Sequence, residues 1–437
     1  MTISRRGVMR GGLAAGLGLA GGGLTGLPGV HSLAFAADDP AEAPAGTLVV
    51  VFLRGGADML ALVAPADDPD YRAARTPDLR VMAEGSKAGI RLEQTLAPAL
   101  DFRLHPDAAP LADLYAARRL AIVHAVGLTD GTRSHFVAQD LMERGIAREE
   151  DLARTGTGWV ARWLGERGLG EGGLGKGGLG RAEGTGRVPA IGTAAAPDAA
   201  LAGLGGALAV PDLRGGLAPP GGPQAAAVLA ALHRQGDGAY ERAARAALDG
   251  LSAVDGRLLR GTDGKVAAYD AEGGAVYEET EAGRALQTVA RVLKMDIGLR
   301  AACVDVGGWD THENQQGRFA TAVGQLSRAL AAFHADTRRY ERDLTLVVMS
   351  EFGRRLRGNR SQGTDHGHGG AMLVLGGRVA GGRMLGRWPG LASHQLDRGV
   401  DLAVTTDYRT VLSELIGPSA ARGFPGFQGA PLGVLRG

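Results

Sequence analysis

The 437-residue chain has a single cysteine, Cys303, so no disulfide can form within it and packing alone must hold the fold. Cys303 lies in an apolar run, where a thiol behaves as a small buried hydrophobe. Net charge is nearly absent too, with 48 basic residues against 47 acidic ones. No global field exists to draw in nucleic acid or an anionic membrane, so nucleic acid is excluded as a partner class and any anion binding must be local. Apolar residues are not scarce. At 45% they suit a globular protein whose mature length of about 400 residues can bury one large core or two or three modest ones.

Glycine is the excess, at 72 residues, and much of it sits in two places. The first is the N-terminus. Ser4-Arg5-Arg6-Gly7-Val8-Met9-Arg10 is a twin-arginine signature, followed by an uncharged stretch from Gly11 to about Leu33 and the cleavage pattern Ala34-Phe35-Ala36. Residues 1–36 therefore read as an export signal, with the twin-arginine translocation machinery as a partner and a periplasmic or extracellular destination. The stretch is glycine-heavy, weakly hydrophobic and ends in small residues, so the mature chain is expected to carry no stable transmembrane segment; an uncleaved anchor is the alternative. The second place runs from about 165 to 222, where a Gly-Leu-Gly unit repeats around Gly168–Gly180. Its GxGxxG matches lack a strand before and a helix after, so they read as a surface insertion rather than a dinucleotide fingerprint.

Five apolar, β-branched runs read as buried strands: Thr47–Leu53, Leu120–Val126, Ala301–Val306, Leu344–Met349 and Ala371–Leu375. They are continuous rather than alternating, as expected when helices cover both faces of a largely parallel sheet. Helical patterns lie between and after them, at Asp107–Arg118, Phe136–Gly145, Tyr240–Leu251, Thr280–Leu293, Phe319–Tyr340 and Asp407–Ile416. The expectation is one α/β domain over 46–437, with the glycine-rich insertion inside it.

Four of the strands run into polar, ionisable loops. These are Arg54-Gly55-Gly56-Ala57-Asp58, Gly127 to His135, Gly307-Gly308-Trp309-Asp310-Thr311-His312, and Ser350-Glu351-Phe352-Gly353-Arg354. In open α/β sheets ligands bind beyond the carboxyl ends of the strands, so these loops should converge. Gly363-Thr364-Asp365-His366-Gly367-His368-Gly369-Gly370 precedes the last strand, and joins the others only if that strand is antiparallel or the loop doubles back. Asp310, His312, Asp365, His366 and His368 together offer imidazole nitrogens and carboxylate oxygens on glycine-rich loops, a donor set suited to a divalent metal such as zinc, manganese or calcium. The blander reading is a hydrogen-bonded scaffold. His124, inside a strand, and His105 read as structural, and Trp388 as the buried anchor of a surface loop.

The same motifs carry a resemblance. Leu48–Asp58, Thr132-Arg133-Ser134-His135-Phe136, Val304–Asn314, Val347–Arg354 and Gly363–Gly370 look like an exported bacterial family catalogued as domain of unknown function 1501. That family has no established activity and is grouped by fold with the alkaline phosphatase and sulfatase superfamily. The resemblance implies a three-layer α/β/α sandwich of alkaline phosphatase-like type. It further implies that Asp58 is a first metal ligand, Ser134 or Thr132 a nucleophile, and Asp310, His312, His366 and His368 ligands, with Asp365 behind or among them. Arg133 or Arg354 would grip anionic oxygens, and Glu351 would be a ligand or base. Each has a plainer reading: a turn or helix cap for Asp58, Ser134 and Thr132, and a salt bridge to Arg354 for Glu351. The sequence departs from the superfamily pattern at Glu351-Phe352-Gly353, where Asp-His-Gly is usual, so one imidazole is missing.

The expected activity is that of an exported metal-dependent hydrolase of phosphate or sulfate esters, acting on a small-molecule or envelope substrate. The alternative is a non-catalytic envelope protein that keeps the fold and a metal- or anion-binding site.

Overall fold

The computed structural model describes residues 46–165, 187–196, 198–219, 221–234, 236 and 238–436. The export signal at 1–36 and the Gly-Leu-Gly repeat lie outside the described residues.

Twelve strands occur among the described residues. They are β1 (Thr47–Leu53), β2 (Val63–Pro65), β3 (Ile90–Arg91), β4 (Phe102–Leu104), β5 (Leu120–Gly127), β6 (Ala190–Gly192), β7 (Leu208–Ala209), β8 (Ala301–Val306), β9 (Leu344–Met349), β10 (Gly370–Gly376), β11 (Arg383–Leu385) and β12 (Thr406–Asp407). The main sheet runs β11-β5-β10-β9-β1-β8-β6-β7, with β12 also on β5. Strands β2, β4 and β3 make a small separate antiparallel sheet. All strand pairs of the main sheet are parallel except those of β10, which runs against both β5 and β9.

Alternation along β1 shows why this is a three-layer structure. Val49, Val51 and Leu53 pack into one core with the helices Glu281–Lys294 and Gln315–Asp336. Leu48, Val50 and Phe52 pack into a second core, on the other face, with the helices His135–Glu143 and Tyr408–Ile416. Both faces of the sheet are therefore covered, which is why the strand runs are mostly apolar, with His124, Asp305 and Thr345 among the polar exceptions. From residue 46 onward the chain forms one compact unit. The second half of the glycine-rich stretch takes part in it, because β6 pairs with β8 and β7 with β6, extending the sheet edge.

Reversal of β10 settles where the Gly363–Gly370 segment lies. Its start sits beside Val126, at the end of β5, on the same rim as the ends of β1, β8 and β9. The segment also doubles back, with Arg354 bridged to His366. No helix among the described residues is long and apolar enough to cross a membrane.

Candidate metal centre

Asp310 is the focus of the rim. His312 Nε2 lies 3.1 Å and His366 Nε2 3.3 Å from its Oδ1, and His135 Nε2 lies 3.6 Å from its Oδ2. The two histidines His312 and His366 bring their Nε2 atoms within 2.9 Å of each other. Ligand atoms of His135, Asp310 and His366 all fall within 4.8 Å of one another. His135 Nε2 is buried and has no hydrogen-bond partner.

The outward nitrogens of the three rings explain this orientation. His135 Nδ1 is 2.7 Å from Glu351 Oε1, His312 Nδ1 is 3.3 Å from Asp365 Oδ1, and His366 Nδ1 is 2.9 Å from the Arg133 carbonyl. Each partner is an acceptor, so each Nδ1 carries a proton and each ring turns its Nε2 inward, a lone pair when the ring is neutral. Three lone pairs and a carboxylate facing one another repel unless a cation or added protons lie among them. The arrangement of ring, inward nitrogen and outer carboxylate or carbonyl is the one that metal-binding histidines adopt.

Electrostatics around the cluster agree with the geometry. The hydrogen bond with Glu351 raises the His135 pKa above its ordinary value, against the effect of burial. Burial alone would raise the Glu351 carboxyl, but hydrogen bonds from His135, Gln139 and the Gly55 amide hold it below the usual range. Asp310 is likewise lowered on balance: burial raises it, and the bond from Arg354 prevails. Asp365 is lowered chiefly by its hydrogen bond from Asn359. Burial lowers the His366 pKa.

Other expected site residues are placed differently. Asp58 is fully buried at a helix start, where it accepts from the Ala61 amide. Its two oxygens take Arg75 at 2.7 and 2.9 Å, and Gln315 Nε2 adds a bond of 2.6 Å. It caps a helix and pairs with Arg75 rather than facing the cluster. His368 is also withdrawn: Nδ1 lies 3.0 Å from Asp397 and Nε2 2.9 Å from the Leu128 carbonyl. Asp365 stands behind His312 as its carboxylate partner.

Neither arginine is an open anion grip. The Arg354 side chain is 0% exposed and its guanidinium bonds to carbonyls of Gly55, Gly56, Trp309 and Thr364 and to Asp310. It therefore ties three loops of the rim together. Arg133 pairs with Asp401 and Asp397. Ser134 occupies the cap position of the helix His135–Glu143, is exposed, and makes no capping bond through its hydroxyl. The Thr132 hydroxyl accepts from the Ser134 amide at 3.3 Å. Glu351 does not pair with Arg354; it serves His135.

His135 is the residue that a reading of the sequence passes over. It sits in a quoted motif, but beside Ser134 and Arg133 it reads as the start of a helix rather than as a ligand. Phe352 lies under the site, its ring 4.9 Å from His135 and 5.0 Å from His366. Gly56 makes room for it: at φ +66° a Cβ there would fall 2.4 Å from Phe352 Cε2. Gly55, at φ +119°, similarly allows the Asp310 amide to approach.

No curated protein matches the sequence. Among solved structures, the C-terminal periplasmic domain of EcEptC from Escherichia coli, in complex with Zn, is 11% identical, with 90% of each chain covered and a TM-score of 0.36. Ps i-CgsB is 10% identical over 78% of this chain and 68% of that one, with a TM-score of 0.33. The lipoteichoic acid synthase LtaP from Listeria monocytogenes is 10% identical over 71% and 57%, with a TM-score of 0.23. These likenesses are loose. Residues 230–423, which carry Asp310, His312, Glu351, Asp365 and His366 but not His135, match the family model described as Protein of unknown function (DUF1501).

Proposed function

We propose that the chain is an exported, metal-dependent hydrolase of phosphate or sulfate esters. The observation that carries this reading is the convergence of three anchored imidazoles on Asp310 at the carboxyl rim of the sheet. His135, Asp310, His312 and His366 would hold the divalent ion, and the chemistry of the donor set, imidazole nitrogen with one carboxylate, suits zinc or manganese better than calcium. When bound, such an ion supplies a Lewis acid for charge that develops on an ester oxygen. The protein's part is to fix the ring orientations through Glu351, Asp365 and the Arg133 carbonyl.

Ser134, exposed and adjacent in the chain to His135, is the proposed nucleophile, with Thr132 second. The free N–H groups at the start of the nine-residue helix His135–Glu143 would help to hold the anionic ester. Export through the twin-arginine signal, and a small-molecule or envelope ester as substrate, complete the reading. The test is turnover of aryl phosphate and sulfate esters by the purified mature chain, with Asp310→Ala and His366→Ala beside it. Turnover in the wild type that vanishes in both variants is expected; turnover that survives the pair of substitutions sinks the proposal.

A second reading is a binding protein that retains the ion without chemistry. Enclosure of Arg354 favours it, since that side chain cannot reach an ester. Anion binding with no turnover would decide for it.

A further inference from the structure

We infer that this chain binds one divalent ion, not a pair, and that its ligands are His135, Asp310, His312 and His366. The inference rests on the metal-dependent reading above and deepens it by fixing the number of ions.

A two-ion site clamps the attacking and leaving oxygens between metals about 4 Å apart and needs protein donors for each metal. The donors that the resemblance would assign to a second ion are already engaged. Asp58 gives both oxygens to Arg75 inside the protein, with Gln315 and the Ala61 amide taking its remaining acceptor positions. Both nitrogens of His368 face acceptors, one on Asp397 and one on Leu128. Neither ring nitrogen turns toward Asp310. At the position where the superfamily has a further imidazole stands Phe352, which offers no lone pair and packs against His135 and His366.

Charge points the same way. Asp310, Glu351 and Asp365 are three carboxylates within or directly behind the cluster. Arg354, enclosed and bonded to Asp310, contributes one positive charge. One divalent ion together with that guanidinium balances the three carboxylates. A second ion would bring two further positive charges for which these groups offer no carboxylate. The guanidinium thus does electrostatically what a second metal does elsewhere, and it does so as a fixed part of the fold.

The test counts metal without relying on activity. Mature protein is stripped with a chelator and dialysed to equilibrium against Zn²⁺ alone, and bound zinc is measured per chain for the wild type, His135→Ala and His368→Gln. One ion per chain is expected in the wild type and in His368→Gln, with affinity in His135→Ala weaker by more than about 100-fold, beyond the usual cost of losing an outer partner. A Co²⁺ absorption spectrum that changes in His135→Ala but not in His368→Gln provides a second readout. Two ions per chain in the wild type would overturn the inference. So would zinc lost in His368→Gln and kept in His135→Ala. Ester turnover is scored separately: one ion without turnover leaves the count standing and removes the hydrolase reading, whereas two ions with turnover does the reverse. No zinc at all removes both.

Discussion

His135 Nδ1 stands 2.7 Å from Glu351 Oε1, and that same oxygen also accepts from the Gly55 amide at 2.9 Å and Gln139 at 2.8 Å. One buried carboxylate thus orients the ring at the start of a helix and pins the loop after β1. Glu351→Gln keeps the shape and removes the charge. It should lower zinc affinity by about 10–100-fold, the usual cost of an outer carboxylate, with little change in the circular dichroism of the fold. Competition against a chromophoric chelator measures this; unchanged affinity would detach Glu351 from the metal centre.

Ser134→Ala separates chemistry from structure. The Ser134 hydroxyl is exposed and makes no capping bond, so the substitution should move stability by less than about 0.5 kcal/mol in urea. Ester turnover should fall by about 1000-fold or more if Ser134 is the nucleophile, as expected for a group that acts in the reaction itself. Full turnover in the variant would move the role to Thr132 or to water.

Arg354→Ala should be among the most disruptive single changes in the molecule. It leaves carbonyls of Gly55, Gly56 and Thr364 unpaired and Asp310 without its counter-charge. A loss of roughly 3–5 kcal/mol is expected, from several buried carbonyls left without a donor. Urea unfolding checks it, and a loss under about 1 kcal/mol would show that the loops do not depend on this residue.

His124 gives the fold a pH dependence of its own. It is buried in β5, Nε2 is 2.9 Å from the Val63 carbonyl, and burial lowers its pKa from 6.5 to about 4. The unfolded chain therefore takes up this proton first as pH falls. Stability from neutral His124 is fully present above about pH 6.5 and is lost progressively toward pH 4, by up to about 3 kcal/mol. Thermal unfolding of the wild type against His124→Asn should show a shallower acid decline in the variant between those limits.

Asp198 works in the opposite sense. Burial, then Asp305 and Glu143, push its carboxyl up to about 7, and its Oδ2 is buried without a partner. A folded-state pKa above the unfolded one means stability that is present at acid pH and lost as pH rises through about 7. Asp198→Asn should therefore gain on the wild type in melting temperature from pH 4 to pH 8. A constant difference between the two proteins across that range would refute it.

The long elements were readable because their signals are local. The runs Thr47–Leu53, Ala301–Val306 and Leu344–Met349 are strands with those same limits, and the pattern at Thr280–Leu293 is the helix Glu281–Lys294. Strands β6, β7, β11 and β12 have two or three residues each, too few to show a period, and exist through their neighbours. At the site, Asp310, His312 and His366 stood out by composition and do meet. Asp58 and His368 stood out equally, but a carboxylate buried with Arg75 and an imidazole turned to Asp397 look the same in one dimension as free donors. His135 was hidden for the converse reason. Its significance depends on Glu351, 216 residues further on.

That separation in the chain governs the order in which the centre can come into being. Asp310 and His312 are the only members close in sequence, and two donors alone would hold an ion weakly. During synthesis His135 is made early and waits, without its buried Glu351, until β9 has been added to the sheet and the 350–369 segment has folded back across the rim. No N-terminal fragment that ends before His366 carries all four donors. The set is therefore complete only once synthesis has passed that residue, and products truncated before it should emerge without zinc.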